Sequence, residues 1–155
     1  MIVTKLDIRY DVERMWQICH WIINRSDDPG PIDLMDRPAM LNDLSRGTLI
    51  EEIVHAVPYR LERLYIMRLK GRGCFAVHRD LRRRLHLPLV TNPQVLMVFP
   101  EEPAVVHLPA DGFVYLVDSR RLHTTLNGSL DERIHLVGAL IDEDFITDGD
   151  KTSGC

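Results

Sequence analysis

The chain has 155 residues, 45% of them hydrophobic and 27% charged, which is the composition and length of one ordinary globular domain. Its net charge of −4 gives no electrostatic reason to expect a nucleic-acid partner, and it lacks both the roughly 20-residue apolar segment of a membrane span and the apolar stretch of a signal peptide. Three cysteines, odd in number and far apart, indicate reduced thiols, so we expect one soluble cytoplasmic domain over residues 1–155.

Residues 1–59 are predicted to be mostly helical. Apolar residues recur at helical spacing in DVERMWQICHWIINR, and Asp11 is a suitable N-cap for this first helix. Two prolines and a glycine indicate a loop at 26–33. A second helix, or a pair of short ones, is expected in NDLSRGTLIEEIVHAVP, weakened by Gly47 and ending at Pro58.

From about residue 60 the pattern changes to short apolar segments separated by turns. Eight such segments follow one another: RLYIMRL, CFAV, RLHLPLV, VLMVF, AVVHL, FVYLVD, LHTTL and RIHLVGALI. Because no connection can hold a crossover helix, they predict a sandwich or barrel instead of βαβ units. Asn127-Gly128 is predicted to form a type I′ hairpin turn between the last two strands. We expect the β core to cover 60–142 and a flexible polar tail to cover 143–155.

The stretch His78-Arg79-Asp80 admits two interpretations. As HRD it matches the opening of a protein-kinase catalytic loop, but the asparagine required five residues after the aspartate is Leu85 here, and no G-x-G-x-x-G or D-F-G motif is present. As H-x-D it matches two ligands of a non-heme iron site, in which two histidines and one carboxylate leave positions open for cosubstrate and O₂. On a strand, residues 78 and 80 would share a face and could both point at one ion.

The iron interpretation makes two further predictions. It requires a third ligand several strands downstream, and His123 fits because it follows FVYLVDSRR. It also requires a cation for the distal carboxylate of 2-oxoglutarate, and Arg133 stands ten residues after His123. Alternation places Arg133 and His135 on one face of their strand, and likewise Arg84 and His86 on one face of RLHLPLV. Two Arg-x-His faces indicate polar side chains gathered on an anion, because a buried arginine otherwise carries a large desolvation cost.

The segments HRDLRRRLHLPLVTN and DSRRLHTTLNGSLDERIHLV resemble the aspartyl/asparaginyl β-hydroxylase family of Fe(II)- and 2-oxoglutarate-dependent oxygenases. That family also includes enzymes acting on free amino acids such as proline. The resemblance covers residues 60–142 and implies a mainly β fold, a double-stranded β-helix (jelly-roll, cupin-like) of about eight strands with the N-terminal helices packed on it. Vertebrate members lack the carboxylate ligand, whereas this sequence has Asp80 and is expected to hold a complete triad.

The resemblance also implies the site and its chemistry. The implied iron ligands are His78, Asp80 and His123. Arg133 would bind the distal carboxylate of 2-oxoglutarate, with Arg84 and His86 beside the cosubstrate. The implied activity is a dioxygenase that uses O₂ to hydroxylate an unactivated C–H bond, above all of an amino acid, free or as an Asp or Asn side chain in a protein, releasing succinate and CO₂.

Two other interpretations stay open at this point. One is a different metal-dependent cupin-type enzyme that does not use 2-oxoglutarate, and the other is a non-catalytic jelly-roll that binds a small acid or a protein surface. The sequence assigns neither the substrate nor the oligomeric state. It also leaves open whether Arg84, His86 and His135 contact cosubstrate or substrate. The three remaining histidines are interpreted as structural: His20, His55 and His107.

Overall fold

The computed structural model describes residues 1–141, which contain two α-helices and twelve β-strands. The helices are α1 (Val12–Ile23) and α2 (Leu49–Ala56). The strands are β1 (Val3–Arg9), β2 (Ile32–Asp33), β3 (Met35–Arg37), β4 (Met40–Leu41), β5 (Leu61–Leu69), β6 (Gly73–Cys74), β7 (Arg84–Val90), β8 (Val95–Phe99), β9 (Ala104–Val106), β10 (Phe113–Val117), β11 (Thr124–Asn127) and β12 (Arg133–Leu140). Residue 142 and the tail predicted at 143–155 lie outside the described residues.

Two antiparallel sheets and a small hairpin make up the β structure. The larger sheet has six strands in the order β1-β10-β7-β12-β5-β2, and the smaller has four in the order β6-β11-β8-β9. Strands β3 and β4 pair with each other. From β5 to β12 the chain passes repeatedly between the two sheets, so strands that are distant in sequence lie side by side. This is the mainly β, jelly-roll class that the sequence predicts.

The larger sheet separates an apolar layer from a polar cavity. Its outer face packs against both helices, and the buried side chains there include Met15, Cys19, Ile22, Ile50, Ile53, Ile66, Leu85, Leu87, Ile134 and Leu136. Each such leucine or isoleucine contributes roughly 1.5–3 kcal/mol by its burial. Residues that alternate with them, Arg84, His86 and Arg133, line a cavity together with Met97 and Thr125 of the smaller sheet. The alternation on β7 and β12 therefore divides core from cavity.

The prediction that residues 1–59 are mostly helical is wrong. Only α1 and α2 are α-helical in that segment, whereas β1 extends the larger sheet at one edge by pairing with β10, and β2 pairs with β5 at the other. Strand β1 carries charged residues on its exposed positions and is only partly buried, as an edge strand should be. Strands of two or three residues, such as β2 and β4, are too short for their periodicity to be detected in the sequence.

Both predicted helices exist, with the capping that their sequences indicate. Asp11 caps α1, and its side chain accepts a hydrogen bond from the Arg14 backbone nitrogen at 3.0 Å. Gly47 adopts a φ of 72°, a left-handed conformation that ends the preceding turns, so α2 begins only after it. Thr48 caps α2 through its side chain. None of the helices within residues 1–141 is long and apolar enough to cross a membrane.

The Asn-Gly hairpin predicted at residues 127–128 does not form. Strand β11 pairs with β6 and β8 of the smaller sheet, whereas β12 lies between β5 and β7 of the larger one, and neither Asn127 nor Gly128 has a positive φ. Asn127 is buried, and its amide donates to the carbonyls of Leu69 at 3.2 Å and Asp131 at 2.7 Å. Side-chain hydrogen bonds thus fix this crossing between the sheets, and it leads the chain from His123 to Arg133.

Candidate metal centre

Three potential metal ligands converge in the cavity between the sheets. Nε2 of His78 lies 3.7 Å from Oδ1 of Asp80, and Nε2 of His123 lies 3.9 Å from Oδ2 of the same carboxylate. One ligand atom from each residue lies within 4.8 Å of the other two. Two imidazoles and one carboxylate are the donor set of facial non-heme Fe(II) sites, so the residues fit such an ion. His123 is buried while His78 is partly exposed, which leaves the centre accessible from outside.

The backbone brings the ligands together in a way that the sequence did not predict. His78 and Asp80 do not lie on a regular strand, since β6 ends at Cys74. Instead His78 and His123 form an isolated antiparallel bridge with two backbone hydrogen bonds of 2.9 Å. The Asp80 backbone nitrogen donates to the Ser119 carbonyl at 2.9 Å. Two irregular connections, one after β6 and one after β10, are thereby held side by side.

Backbone carbonyls set the tautomer of both histidines. Nδ1 of His78 lies 2.7 Å from the Ala76 carbonyl, and Nδ1 of His123 lies 2.9 Å from the Arg121 carbonyl. Because a carbonyl oxygen only accepts, each Nδ1 carries the proton and each Nε2 keeps its lone pair for a metal. The His123 ring also stacks on buried Phe99, with centroids 5.8 Å apart.

The carboxylate of Asp80 is held by Arg84. The Arg84 guanidinium donates from Nε to Oδ2 at 3.1 Å and from Nη2 to Oδ1 at 3.0 Å, a bidentate pair. Burial alone would raise the pKa of Asp80, but the hydrogen bonds and charge of Arg84 outweigh it and the pKa is lowered. Asp80 is therefore an anion at neutral pH. That Arg84 also lies beside a cosubstrate remains a prediction.

Arg133 is a buried cation without an acidic partner among residues 1–141. It is 2% exposed, its Nη2 donates to Nδ1 of His135 at 2.7 Å, and its Nε has no hydrogen-bond partner in the described part of the chain. Burial lowers the pKa of Arg133 to about 9, so the guanidinium stays charged at neutral pH. A buried charge of this kind is costly unless an anion pairs with it. The side chain thus fits an anionic ligand in the cavity.

Two neutral histidines support Arg133: His135 contacts the guanidinium, and His86 contacts His135. Since arginine can only donate, Nδ1 of His135 must accept, and its proton lies on Nε2. Nδ1 of His86 lies 3.3 Å from that same atom and so acts as the donor. Burial, and then the charge of Arg133, lowers the pKa of both imidazoles well below the usual value. The pair holds the guanidinium in place without neutralising it.

The cavity has a volume of about 430 Å³, within the range of small-molecule pockets. Strand β5 contributes three lining residues that the sequence reasoning missed, namely Arg63, Tyr65 and Met67. They alternate with buried Leu64 and Ile66 in RLYIMRL, so the period-2 pattern that identified β7 and β12 was present here too. Phe75, Met97 and Thr125 complete the opposite wall.

Arg63 stands where it can meet a ligand at the mouth of the cavity. It is partly exposed, pairs with Asp33 through Nε at 2.5 Å and Nη2 at 3.1 Å, and lies 4.5 Å above the Tyr65 ring. Burial raises the pKa of Tyr65, so its hydroxyl stays protonated at neutral pH. Outside the cavity lining, His107, which is predicted to be structural, makes a hydrogen bond to the Val95 carbonyl at 2.9 Å.

Comparisons with known proteins support the fold. No protein-family model matches the chain, and no curated protein matches its sequence significantly. A viral collagen prolyl hydroxylase from Paramecium bursaria Chlorella virus-1, solved as a 2OG complex, is similar with a TM-score of 0.63 at 13% identity, over 90% of this chain and 96% of that one. AviO1 from Streptomyces viridochromogenes Tue57 is similar with a TM-score of 0.64 at 15% identity, over 92% of this chain and 90% of that one.

These similarities confirm the jelly-roll class, and at such low identity they show the fold alone. A cupin domain from Bordetella pertussis Tohama I is a weaker match, with a TM-score of 0.47 at 18% identity, over 76% of this chain and 99% of that one. None of the three is described as an aspartyl/asparaginyl β-hydroxylase, so that particular resemblance stays a prediction.

Proposed function

We propose that the protein is an Fe(II)- and 2-oxoglutarate-dependent dioxygenase that hydroxylates an unactivated C–H bond of an amino acid, with release of succinate and CO₂. The observation that carries the proposal is one cavity with two features: a His-Asp-His cluster, and a buried arginine that no acid among residues 1–141 neutralises. A fold shared with a prolyl hydroxylase solved with 2OG supports it. A metal enzyme that does not use 2-oxoglutarate would need another anion to pair with this arginine.

Each residue has a role in this proposal that follows from its contacts. Nε2 of His78, a carboxylate oxygen of Asp80 and Nε2 of His123 would hold Fe(II) on one side and leave the other side open. When bound, Fe(II) supplies the oxidising chemistry with O₂ and 2-oxoglutarate. Arg133 would pair its planar fork with the distal carboxylate, which fixes the cosubstrate's orientation. Arg84 keeps Asp80 ionised, and its two hydrogen bonds fix the orientation of the Asp80 carboxylate.

The test of this proposal is formation of succinate from 2-oxoglutarate. Purified protein, supplied with Fe(II), 2-oxoglutarate and O₂, is screened against free amino acids and short peptides. We expect succinate in amounts that depend on all three additions, and an anaerobic visible absorption band that requires both Fe(II) and 2-oxoglutarate. Metal binding without that band would favour a cupin-type enzyme instead, and failure to bind any divalent metal would favour a non-catalytic jelly-roll.

The charge of the cavity favours a substrate that carries a carboxylate. Three arginines line it, Arg63, Arg84 and Arg133, against one acidic residue, Asp80. Asp33 balances Arg63 from outside the cavity, which leaves one net positive charge. Because the charge of Fe(II) would offset the two carboxylates of 2-oxoglutarate, this net positive charge would remain for the substrate. A free amino acid offers a carboxylate that Arg63 could pair with at the mouth, whereas a residue inside a peptide does not. We therefore propose a free amino acid ahead of a protein side chain.

Replacing Arg63 with glutamine is expected to raise the KM of the amino acid substrate about tenfold, with little change in kcat. A charge-assisted hydrogen bond contributes roughly 1.5 kcal/mol, which corresponds to that factor. The measurement is steady-state kinetics with the amino acid that gives most succinate in the screen. Arg46→Gln, which removes a partly exposed arginine paired with Asp43, is the matched control. An unchanged KM in Arg63→Gln would show that the substrate carboxylate is recognised elsewhere.

A further inference from the structure

The turn between β8 and β9 reads Pro-Glu-Glu-Pro and contacts both connections that carry the candidate metal ligands. The carboxylate of Glu101 accepts two hydrogen bonds from Nη2 of Arg79, at 2.7 and 2.5 Å. The carboxylate of Glu102 forms an ion pair with Nη1 of Arg121. Neighbouring acids on one turn thus hold two arginines from different parts of the chain.

Each of these arginines is coupled directly to a ligand. Arg79 is the residue between His78 and Asp80, so its backbone position affects both. Arg121 provides the carbonyl that holds Nδ1 of His123 at 2.9 Å. Arg79 also donates to the Arg120 carbonyl at 3.4 Å, which links the two connections to each other.

The ligand connections need such support because neither belongs to a regular strand. Besides the contact of Arg79 with the Arg120 carbonyl, they are attached to each other by the isolated bridge between His78 and His123 and by hydrogen bonds of Ser119 with Asp80 and with the Arg82 carbonyl. The turn between β8 and β9, by contrast, is anchored by regular structure. Strand β8 is paired on both sides in the smaller sheet, and Phe99 at its end is fully buried and stacks on the His123 ring.

We propose that Glu101 and Glu102 are positioning residues for the metal centre. They hold Arg79 and Arg121, and through them the two ligand connections, at the separation that a divalent cation requires. The glutamates also offset the positive charge that these arginines would otherwise place beside the cation. The inference rests on the metal centre of the proposed function, but it concerns metal affinity and not the reaction.

Metal affinity of single variants tests the positioning role. Metal-free protein is titrated with Co(II), followed by its visible absorption, without 2-oxoglutarate. Glu101→Gln, Glu102→Gln and Arg79→Gln are each expected to weaken Co(II) binding about threefold to fivefold, since the ion pairs are partly exposed. The double variant Arg79→Gln/Glu101→Gln should be no weaker than either single variant, because both remove the same contact.

The direction in which Arg79→Gln changes Co(II) affinity distinguishes a positioning role from a purely electrostatic effect of the glutamates on the cation. If the glutamates act only through charge, Glu101→Gln weakens Co(II) binding but Arg79→Gln tightens it, since it removes a cation next to the ligands. Tighter binding in Arg79→Gln, or unchanged binding in both glutamate variants, overturns the proposal. Asp43→Asn, which breaks an exposed ion pair with Arg46, should leave the affinity unchanged. Absence of Co(II) binding in the unmodified protein would overturn this proposal and the metal centre alike, whereas Co(II) binding without succinate formation would overturn the oxygenase function alone.

Discussion

Replacing Arg133 with methionine is expected to weaken 2-oxoglutarate binding about a hundredfold while metal affinity changes little. The guanidinium is buried and has no acidic partner among residues 1–141, and it faces the same cavity as the triad. Charge-assisted hydrogen bonds contribute roughly 1.5–3 kcal/mol each, and a bidentate pair makes two of them. The measurement is anaerobic titration of the Fe(II)-loaded protein with 2-oxoglutarate, followed by visible absorption. Co(II) titration of the same variant reports metal affinity separately.

The thermal stability of this variant provides an independent readout. Methionine removes a buried unpaired charge, so without ligand its Tm should equal or exceed that of the unmodified protein. The unmodified protein should gain Tm on addition of 2-oxoglutarate with metal, because a ligand that binds only the folded state stabilises it, and the variant should not. Arg133→Lys keeps the charge without the fork and should fall between them. Loss of metal with unchanged 2-oxoglutarate affinity would mean that Arg133 supports the triad instead.

Residues with strong periodic signals were the ones that the sequence located correctly. Strands β7 and β8 coincide with RLHLPLV and VLMVF, because alternating or continuous apolar residues between turn signals allow few other structures. The edge strand β1 was missed because its apolar residues are few and partly exposed. The Asn-Gly signal was overridden because the Asn127 amide donates to the Leu69 carbonyl of a distant strand, a long-range contact that no local propensity reveals.

The candidate site shows the same division between local pattern and long-range contact. Spacing brought out His78, Asp80, His123 and Arg133 as one group, and the structure places all four on one cavity. The bidentate contact of Arg84 with Asp80 was not foreseen, because the two residues were assigned to different elements with different roles. The Glu101 and Glu102 contacts were also missed, since ion pairs between separate turns leave no mark in spacing.

The largest effect on metal binding is expected from His123→Ala. Its Nε2 is the one ligand atom supplied by the connection after β10, so its loss leaves only two ligands, His78 and Asp80. Loss of an outer hydrogen-bond partner alone reduces metal affinity roughly tenfold to hundredfold, and loss of a direct ligand should exceed that. Succinate formation should fall to background in the same variant.

A matched histidine elsewhere in the chain separates loss of a ligand from loss of structure. In both His107 and His123, Nδ1 lies 2.9 Å from a backbone carbonyl, and both are at least partly buried. His107→Ala should therefore lose a similar hydrogen bond and lower Tm comparably, yet keep Co(II) affinity and its visible spectrum. If His123→Ala binds Co(II) as tightly as His107→Ala does, the imidazole at 123 is not a ligand. The protein would then hold Co(II) without this residue, so the His-Asp-His centre and the dioxygenase assignment that rests on it would have to be abandoned.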